Sequence, residues 1–333
     1  MSSAEFLYPS EAARRLGVSA KALRLYEQRG LVDPVRTSAG WRAYGPAEMA
    51  RAREVAVLRA LGLSLAQVSR VLEGAAQDLE PALAAHQAAL EGQAWRLAEV
   101  VEKVRAARAA LARGEQPSPA ELTALLGEGP RVAFDLPWPW GGERFELRDI
   151  RGLNYIIGPL GSGKTRLAKS IAQALPDAAF LDLERQAQVA ADPGLEARVE
   201  KAMAWLAEEG ATQTAALADL LRHLEARQPA ALVVDMVEQG LDEQTQEALI
   251  AHLRRRGSAA RPLFLMTRSS AILDLAAMGP DEAIILCPAN HSPPSRVTPH
   301  PGAPGYEAVA TCLASPAVRA RTEGMTAVLP GAA

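Results

Sequence analysis

The sequence RLYEQRGLVDPVR at residues 24–36, continued by GWRAY at residues 40–44, decides how the first part of the chain folds. A helix that carries basic residues stops at Gly30, because glycine readily adopts the left-handed conformation that ends a helix. Pro34 cannot continue a helix, and Gly40 indicates a tight turn. The pattern therefore predicts a basic helix followed by a short two-stranded wing.

Cationic and aromatic side chains are spread over this helix, this wing and the residues just before them. Residues 1–72 hold 11 Lys and Arg against six Asp and Glu, a net charge of +5, whereas the whole chain has −3 and the remainder therefore −8. Solvent-exposed basic residues without a partner are the alternative, but an acidic chain that concentrates positive charge in one module favours a polyanionic partner. The candidate residues for contact with double-stranded DNA are Arg15, Lys21, Arg24, Tyr26, Arg29, Arg36, Arg42 and Tyr44.

The residues upstream complete a winged helix-turn-helix over residues 1–75, which we call the head. Residues 9–17 read as a short helix ended by Gly17, and Ser19 is placed to cap the next helix, at residues 20–29. Two helices joined by a tight turn form a helix-turn-helix. Together with the wing pattern and the GLSL turn at residues 62–65, they closely resemble the MerR family of transcription regulators. The resemblance implies a dimer that binds promoter DNA and acts on RNA polymerase.

A heptad repeat follows the head. Leucine or valine recurs every seventh residue from Leu83 to Leu111, and residues 82–113 contain no proline, which predicts one long helix over residues 79–113. A seven-residue apolar repeat is typical of a coiled coil. A lone helix packed on its own domain is the alternative, but pairing with a second copy agrees with two heads on related half-sites.

The composition is typical of a soluble protein with more than one domain. The 333 residues, 49% hydrophobic and 23% charged, are ordinary for a soluble multidomain protein, and no segment has the length of a membrane span or the pattern of a secretory signal. We therefore expect a cytoplasmic protein. The two cysteines, Cys287 and Cys312, predict neither a disulfide framework nor a thiolate metal site. Many MerR-like proteins sense metals through cysteines after the dimerisation helix, and this chain has none there, which implies another effector.

A linker over residues 114–130, with a short predicted helix at residues 120–126, leads to a second domain over residues 131–333. A buried strand at residues 153–157 runs directly into GPLGSGKT at residues 158–165, and an amphipathic helix follows. This is a complete phosphate-binding loop in its strand-loop-helix context, so we expect ATP or ADP with Mg²⁺ here. The buried strand at residues 230–234 ends at Asp235, a candidate magnesium ligand together with Thr165. Candidate nucleotide-binding residues are Gly158, Gly161, Ser162, Gly163, Lys164, Thr165, Arg166, Asp235, Trp138 and Trp140.

The second domain resembles the ABC-type ATPases, in particular their SMC and RecF branch, over residues 132–286. The sequence GLD at residues 240–242 resembles that group's D-loop, and residues 263–267 resemble the strand before its switch histidine. Trp138 or Trp140 lies where the group stacks an aromatic ring on adenine, although packing within the domain is the alternative role for either. The implied fold class is α/β overall, with an all-α winged helix-turn-helix and a coiled-coil helix followed by a P-loop NTPase domain.

Departures from the ABC pattern indicate slow chemistry. Met236 stands where the group has its catalytic glutamate, Arg268 stands where it has the switch histidine, and the signature sequence at residues 206–213 is degraded. Loss of the residue that orients the attacking water lowers the rate while phosphate binding persists. Glu238 is the candidate substitute.

Two functions follow from these patterns. The first is a dimeric MerR-like regulator whose ATPase-fold domain binds nucleotide, hydrolyses it slowly or not at all, and changes the spacing of the two heads through residues 113–119. The alternative is an ATPase or phosphotransferase that uses the head only to dock on DNA. A domain that has lost nucleotide binding altogether is disfavoured by the intact Lys164 and Thr165.

Overall fold

The computed structural model describes residues 6–37, 40–114, 132–185, 192–257 and 260–313. The head begins with α1 (Pro9–Leu16) and α2 (Ala20–Gln28). Gly17 ends α1 at φ 69°, and the Ser19 hydroxyl accepts the Ala22 N–H at 3.0 Å to cap α2. These two local signals, both visible in the sequence, fix the tight turn and confirm the predicted helix-turn-helix.

The wing and two supporting helices complete the head. Strands β1 (Val35–Arg36) and β2 (Arg42–Ala43) pair in antiparallel register. Helix α3 (Pro46–Ala60) begins at a proline, and α4 (Leu65–Leu72) is capped by Ser64. One apolar core joins these elements, and its largest fully buried side chains are Tyr44, Leu23, Leu63 and Leu65.

A single long helix leaves the head. A 3₁₀ turn (Ala76–Asp78) precedes α5 (Leu79–Ala112), whose 34 residues give a length of roughly 50 Å. The apolar repeat lies on its surface, exposed along the helix at Leu83, Leu90, Leu97, Val104 and Leu111. The linker and the short helix predicted at residues 120–126 lie outside the described residues.

The second domain is built on one mixed sheet. An antiparallel hairpin of β3 (Val132–Asp135) and β4 (Arg144–Leu147) precedes it. The sheet has the order β10-β9-β5-β8-β7-β6, with β10 antiparallel to β9 and the other neighbours parallel. Its strands are β5 (Leu153–Ile157), β6 (Ala178–Leu181), β7 (Ala231–Val234), β8 (Leu263–Met266), β9 (Glu282–Leu286) and β10 (Ser295–Val297).

Helices cover both faces of this sheet. They are α6 (Lys164–Ala174), α7 (Leu195–Glu209), α8 (Ala215–Glu225), α9 (Glu243–Arg254) and α10 (Tyr306–Leu313). Two apolar clusters, one on each face, bury the sheet, and the predicted fold class is confirmed. Parallel strands end at the same edge, so the loops after β5, β7 and β8 meet there. Within the described part of the chain, no helix is long and apolar enough to cross a membrane.

Candidate functional site

The phosphate loop at residues 158–165 joins the central strand β5 to α6. Gly163 precedes α6 at φ 90°, and a Cβ atom on it would lie 2.6 Å from the ring of Trp140. A Cβ atom on Gly158 would overlap the carbonyl oxygen of Cys287. Only glycine fits at these two positions, because the loop backbone lies close to Trp140 and Cys287.

An open cavity of about 470 Å³ lies beside the loop, so the loop has not collapsed onto a filled interior. The Lys164 ammonium group donates to the carbonyl oxygens of Gly158 at 2.8 Å and Pro159 at 2.6 Å. Burial lowers the pKa of Lys164, and the charge of Arg268 lowers it further. Residues that line the cavity include Trp138, Leu160, Gly161, Gly163, Lys164, Thr165, Arg166, Asp235, Met236 and Arg268.

Asp235 and Thr165 bring side-chain oxygen atoms to the cavity. Asp235 follows β7 directly and is buried, and this burial raises the pKa of its carboxyl group while Lys164 opposes the shift. The Ser162 hydroxyl is buried with no hydrogen-bond partner in the described ranges. Carboxylate and hydroxyl oxygens are ligands that Mg²⁺ accepts, so these residues fit a magnesium–nucleotide complex.

Met236 and Glu238 lie after β7 but have different roles. Met236 has φ 42° and lines the cavity. Glu238 does not line it, since its Oε1 atom accepts the backbone N–H of Arg268 at 2.8 Å and its Oε2 atom is buried without a partner among the described residues. Among the described lining residues, Asp235 is the only acid. In this conformation, therefore, Glu238 holds the Arg268 loop in place and does not face the phosphate site.

The two tryptophans lie in different environments. Trp138 is 72% exposed, lines the cavity and stacks against the Arg166 guanidinium at 4.9 Å. Trp140 is 4% exposed, donates to the Ser292 carbonyl at 3.2 Å and packs under Gly163. Trp138 is therefore available to a nucleobase, whereas Trp140 supports the loop from below.

These environments predict that one substitution affects nucleotide binding and the other affects stability. We expect Trp138→Ala to leave the melting temperature unchanged and to weaken Mg-ATP binding by about fivefold, since a lost aromatic contact is worth roughly 1 kcal/mol. We expect Trp140→Ala to lower the free energy of unfolding by about 3–5 kcal/mol, because it empties a core position. Thermal melting and calorimetric titration measure the two effects, and equal destabilisation by both changes would contradict the assignment.

The candidate DNA-contacting residues of the head also lie in different environments: some are exposed, some are buried and some contact the second domain. Arg15 and Arg24 are exposed on α1 and α2, and Arg36 is exposed on the wing, where it donates to the Gly40 carbonyl at 3.1 Å. Arg42 pairs with Glu27 at 2.6 Å, which fastens the wing to α2. The structure does not bring Tyr26 and Tyr44 to this surface, because both are buried in the core of the head. Lys21 and Arg29 instead contact the second domain.

Two residues, Arg185 and Glu209, have structural roles that the sequence motifs do not predict. The Arg185 side chain, after β6, donates to the carbonyl oxygens of Val237 at 3.3 Å and Gln239 at 3.2 Å, and thereby holds the turn after Asp235. Glu209, at the end of α7, is a buried carboxylate bound by the head. Both roles depend on contacts distant in sequence, so no local pattern announces them.

Two comparisons with known proteins each match part of the chain. The family model described as MerR HTH family regulatory protein matches residues 9–75. The chain is 33% identical over 103 residues to a probable heavy metal-dependent transcriptional regulator of Haemophilus influenzae, covering 29% of this chain and 80% of that protein.

Two solved structures resemble parts of the chain. HiNmlR, a MerR family regulator lacking the sensor domain and bound to promoter DNA, is 20% identical, with 36% of this chain and 96% of that chain covered and a TM-score of 0.25. The ADP conformation of an ATP-binding cassette of an ABC transporter is 14% identical, with 58% of this chain and 98% of that chain covered and a TM-score of 0.36.

Proposed function

Because the chain belongs to the MerR family of helix-turn-helix regulatory proteins, we propose that it is a dimeric transcription regulator whose second domain binds ATP or ADP with Mg²⁺. Nucleotide binding changes how the head binds or distorts promoter DNA. RNA polymerase is the partner that the family implies, and the cytoplasm is the compartment that such a regulator requires.

The DNA part of this proposal is supported by the family and by the charge of the head. MerR family regulators bind promoter DNA. The first 72 residues carry a net charge of +5, and Arg24 and Arg36 are exposed on the helix and the wing. Phosphate contacts from such side chains set affinity and register, while a helix in the major groove reads base edges.

The open phosphate loop carries the nucleotide part. Lys164 and Arg268 place two cations on one cavity, and the Arg268 guanidinium has no hydrogen-bond or ion-pair partner within the described residues. Two like charges that face a cavity favour a polyanion such as a triphosphate. Thr165 and Asp235 would hold Mg²⁺, which when bound neutralises charge on the phosphate oxygens.

Slow turnover is expected from the same cavity, because Met236 offers no proton acceptor and Glu238 is engaged with the Arg268 backbone. We expect steady-state phosphate release below about one per second, the low end of the usual range for enzymes. Met236→Glu places a carboxylate in the cavity and is expected to raise the rate by roughly 100-fold. Wild-type turnover well above about one per second, abolished by Lys164→Ala, would favour the alternative of an ATPase docked on DNA.

Dimerisation is supported by the apolar repeat of α5, which lies exposed over five heptad positions from Leu83 to Leu111. A contiguous apolar stripe on a soluble protein favours burial against a partner. A second copy of α5 has the matching stripe, and a two-fold dimer would place two heads on half-sites of one operator.

Footprinting on the DNA upstream of the protein's own gene tests the proposal as a whole. We expect a protected, two-fold related site whose protection or hypersensitive positions change between Mg-ATP and no nucleotide. Protection that does not depend on nucleotide would support DNA binding and contradict the nucleotide switch. Absence of protection under every condition would contradict the DNA part.

A further inference from the structure

Glu209 lies at the centre of a contact between the head and the second domain. This carboxylate, the last residue of α7, is 4% exposed, and its Oε1 atom accepts the Arg59 guanidinium at 2.6 Å and the Leu65 backbone N–H at 2.8 Å. Its main-chain oxygen accepts the Arg29 guanidinium at 2.6 Å. All three donors belong to the head, so the head supplies the partners that a buried carboxylate needs.

Further contacts extend from Glu209 along α4. Glu208 accepts the Ser64 hydroxyl at 2.7 Å and pairs with Arg70 at 3.6 Å. On the other side of the contact, the Arg255 guanidinium stacks on the Trp205 ring at 4.5 Å and lies next to Gly62 of the head. The contact is thus specific in shape and charge and involves several head elements.

The recognition helix α2 takes part directly. The Lys21 ammonium group lies 2.6 Å from Glu247 and 3.7 Å from Glu243, both on α9. Lys21 lies on α2 and Arg29 caps its C-terminal end, and both side chains contact the second domain, whereas Arg24 of the same helix is exposed. We call Glu208, Glu209, Glu243 and Glu247 the acidic face.

Helix α2 contacts the second domain and is also the helix proposed to enter the DNA groove. A helix with its side chains is about 10–12 Å across and fills the major groove, which is about 12 Å wide, so both sides of an inserted helix meet phosphate walls. With Lys21 of α2 paired to α9, part of that space is taken. We infer that the acidic face is a docking surface for the head that displaces double-stranded DNA by presenting carboxylates to Lys21 and Arg59 and a main-chain oxygen to Arg29.

A short chain of contacts joins the phosphate cavity to the acidic face. Asp235 is followed by a turn that ends at Asp242, which caps α9 by accepting the Thr245 N–H at 2.7 Å. The Thr212 hydroxyl donates to Asp242 at 2.6 Å, just after Glu209 and Gly210. On this basis, which rests on the proposed function, a nucleotide that reorders this turn changes the docking equilibrium and so the fraction of heads free to bind DNA.

The acidic face is tested in the full-length protein with the double variant Glu243→Gln/Glu247→Gln, which leaves every residue of the head intact. Removing two partly exposed ion pairs is expected to raise operator affinity without nucleotide by about three- to tenfold. The response to Mg-ATP should shrink by a similar factor. Fluorescence anisotropy with a labelled operator duplex measures both.

The matched control is Glu200→Gln/Glu307→Gln, which makes the same change of charge at two exposed acids that pair with no described residue of the head. Equal operator affinity of the two double variants would overturn the inference, because the gain would then be a general charge effect. Glu209→Gln is the second variant, and it should also raise operator affinity and speed hydrogen exchange of the Leu65 amide. Slow exchange and unchanged affinity in this variant would count against docking.

The docking inference and the nucleotide switch fail in different ways. If the Glu243→Gln/Glu247→Gln protein binds DNA more tightly than its control while the wild type ignores Mg-ATP, docking stands and the nucleotide switch is wrong. If the wild type responds to Mg-ATP and both double variants behave like it, the switch stands and docking is wrong.

Discussion

Replacing Lys164 by alanine is expected to weaken Mg-ATP binding by roughly 100-fold, since each hydrogen bond to a charged group contributes about 1.5–3 kcal/mol and the ammonium group would make more than one to the phosphates. In the structure this group donates to the carbonyl oxygens of Gly158 and Pro159 and lines the cavity. Isothermal titration calorimetry with Mg-ATP measures the loss. We also expect the variant to lose any effect of nucleotide on DNA binding.

Lys169→Ala is the matched control, because Lys169 is exposed on the same helix, lies outside the cavity and carries the same charge. It should bind Mg-ATP within about twofold of the wild type. Comparable losses in the two variants would show that general positive charge, and not the phosphate loop, is responsible. If calorimetry detects no Mg-ATP binding by the wild type, the second domain has lost nucleotide binding.

The largest expected effect on DNA binding comes from the α5 stripe. Leu90→Glu/Leu97→Glu puts two charges in the proposed dimer seam, where burying them without partners is unfavourable. We expect a monomer in sedimentation equilibrium and a loss of operator affinity of roughly 100-fold, because the second half-site no longer adds to binding. Glutamate is a good helix former, so α5 itself should persist.

Ala106→Glu/Ala109→Glu supplies the control for this variant. Both alanines are exposed on α5 away from the stripe, so they receive the same charge without entering the seam. The control should stay dimeric and bind the operator normally. If the Leu90→Glu/Leu97→Glu protein keeps the wild-type mass and affinity, the coiled-coil dimer is wrong.

The sequence predicts the local structure of the head well, because local signals specify it. Gly17, Ser19 and Ser64 end or cap helices as their residue types require. Tyr26 and Tyr44 were expected on the DNA surface, and both are buried in the core. An aromatic residue with one polar atom suits either environment, so only the tertiary packing decides.

At the phosphate site, too, local features can be predicted from the sequence and long-range contacts cannot. Lys164 and Thr165 lie at the start of α6 beside the cavity, a position that the contiguous strand, loop and helix of the motif predict. The separation of Trp138 from Trp140 depends on Ser292, more than 150 residues away. Docking of the head depends on ion pairs such as Arg59–Glu209, 150 residues apart, whose partners carry no local pattern. Contacts of this kind are set by the arrangement of whole domains.

The structure also offers a shorter route for nucleotide control than the predicted pull on residues 113–119, most of which lie outside the described residues. The contacts from Asp235 through Asp242 and Thr212 to Glu209 stay within one edge of the second domain. A switch there would act on each head directly, and the coiled coil would serve to pair the heads.

The affinity of the full-length protein for its operator, measured by fluorescence anisotropy with saturating Mg-ATP, with Mg-ADP and without nucleotide, tests the coupling of the two domains most directly. We predict that the Kd with Mg-ATP differs by at least about threefold from the Kd without nucleotide, and that Lys164→Ala removes the difference. Three superimposable binding curves, with equal DNA bending under all three conditions, would contradict the coupling of the two domains.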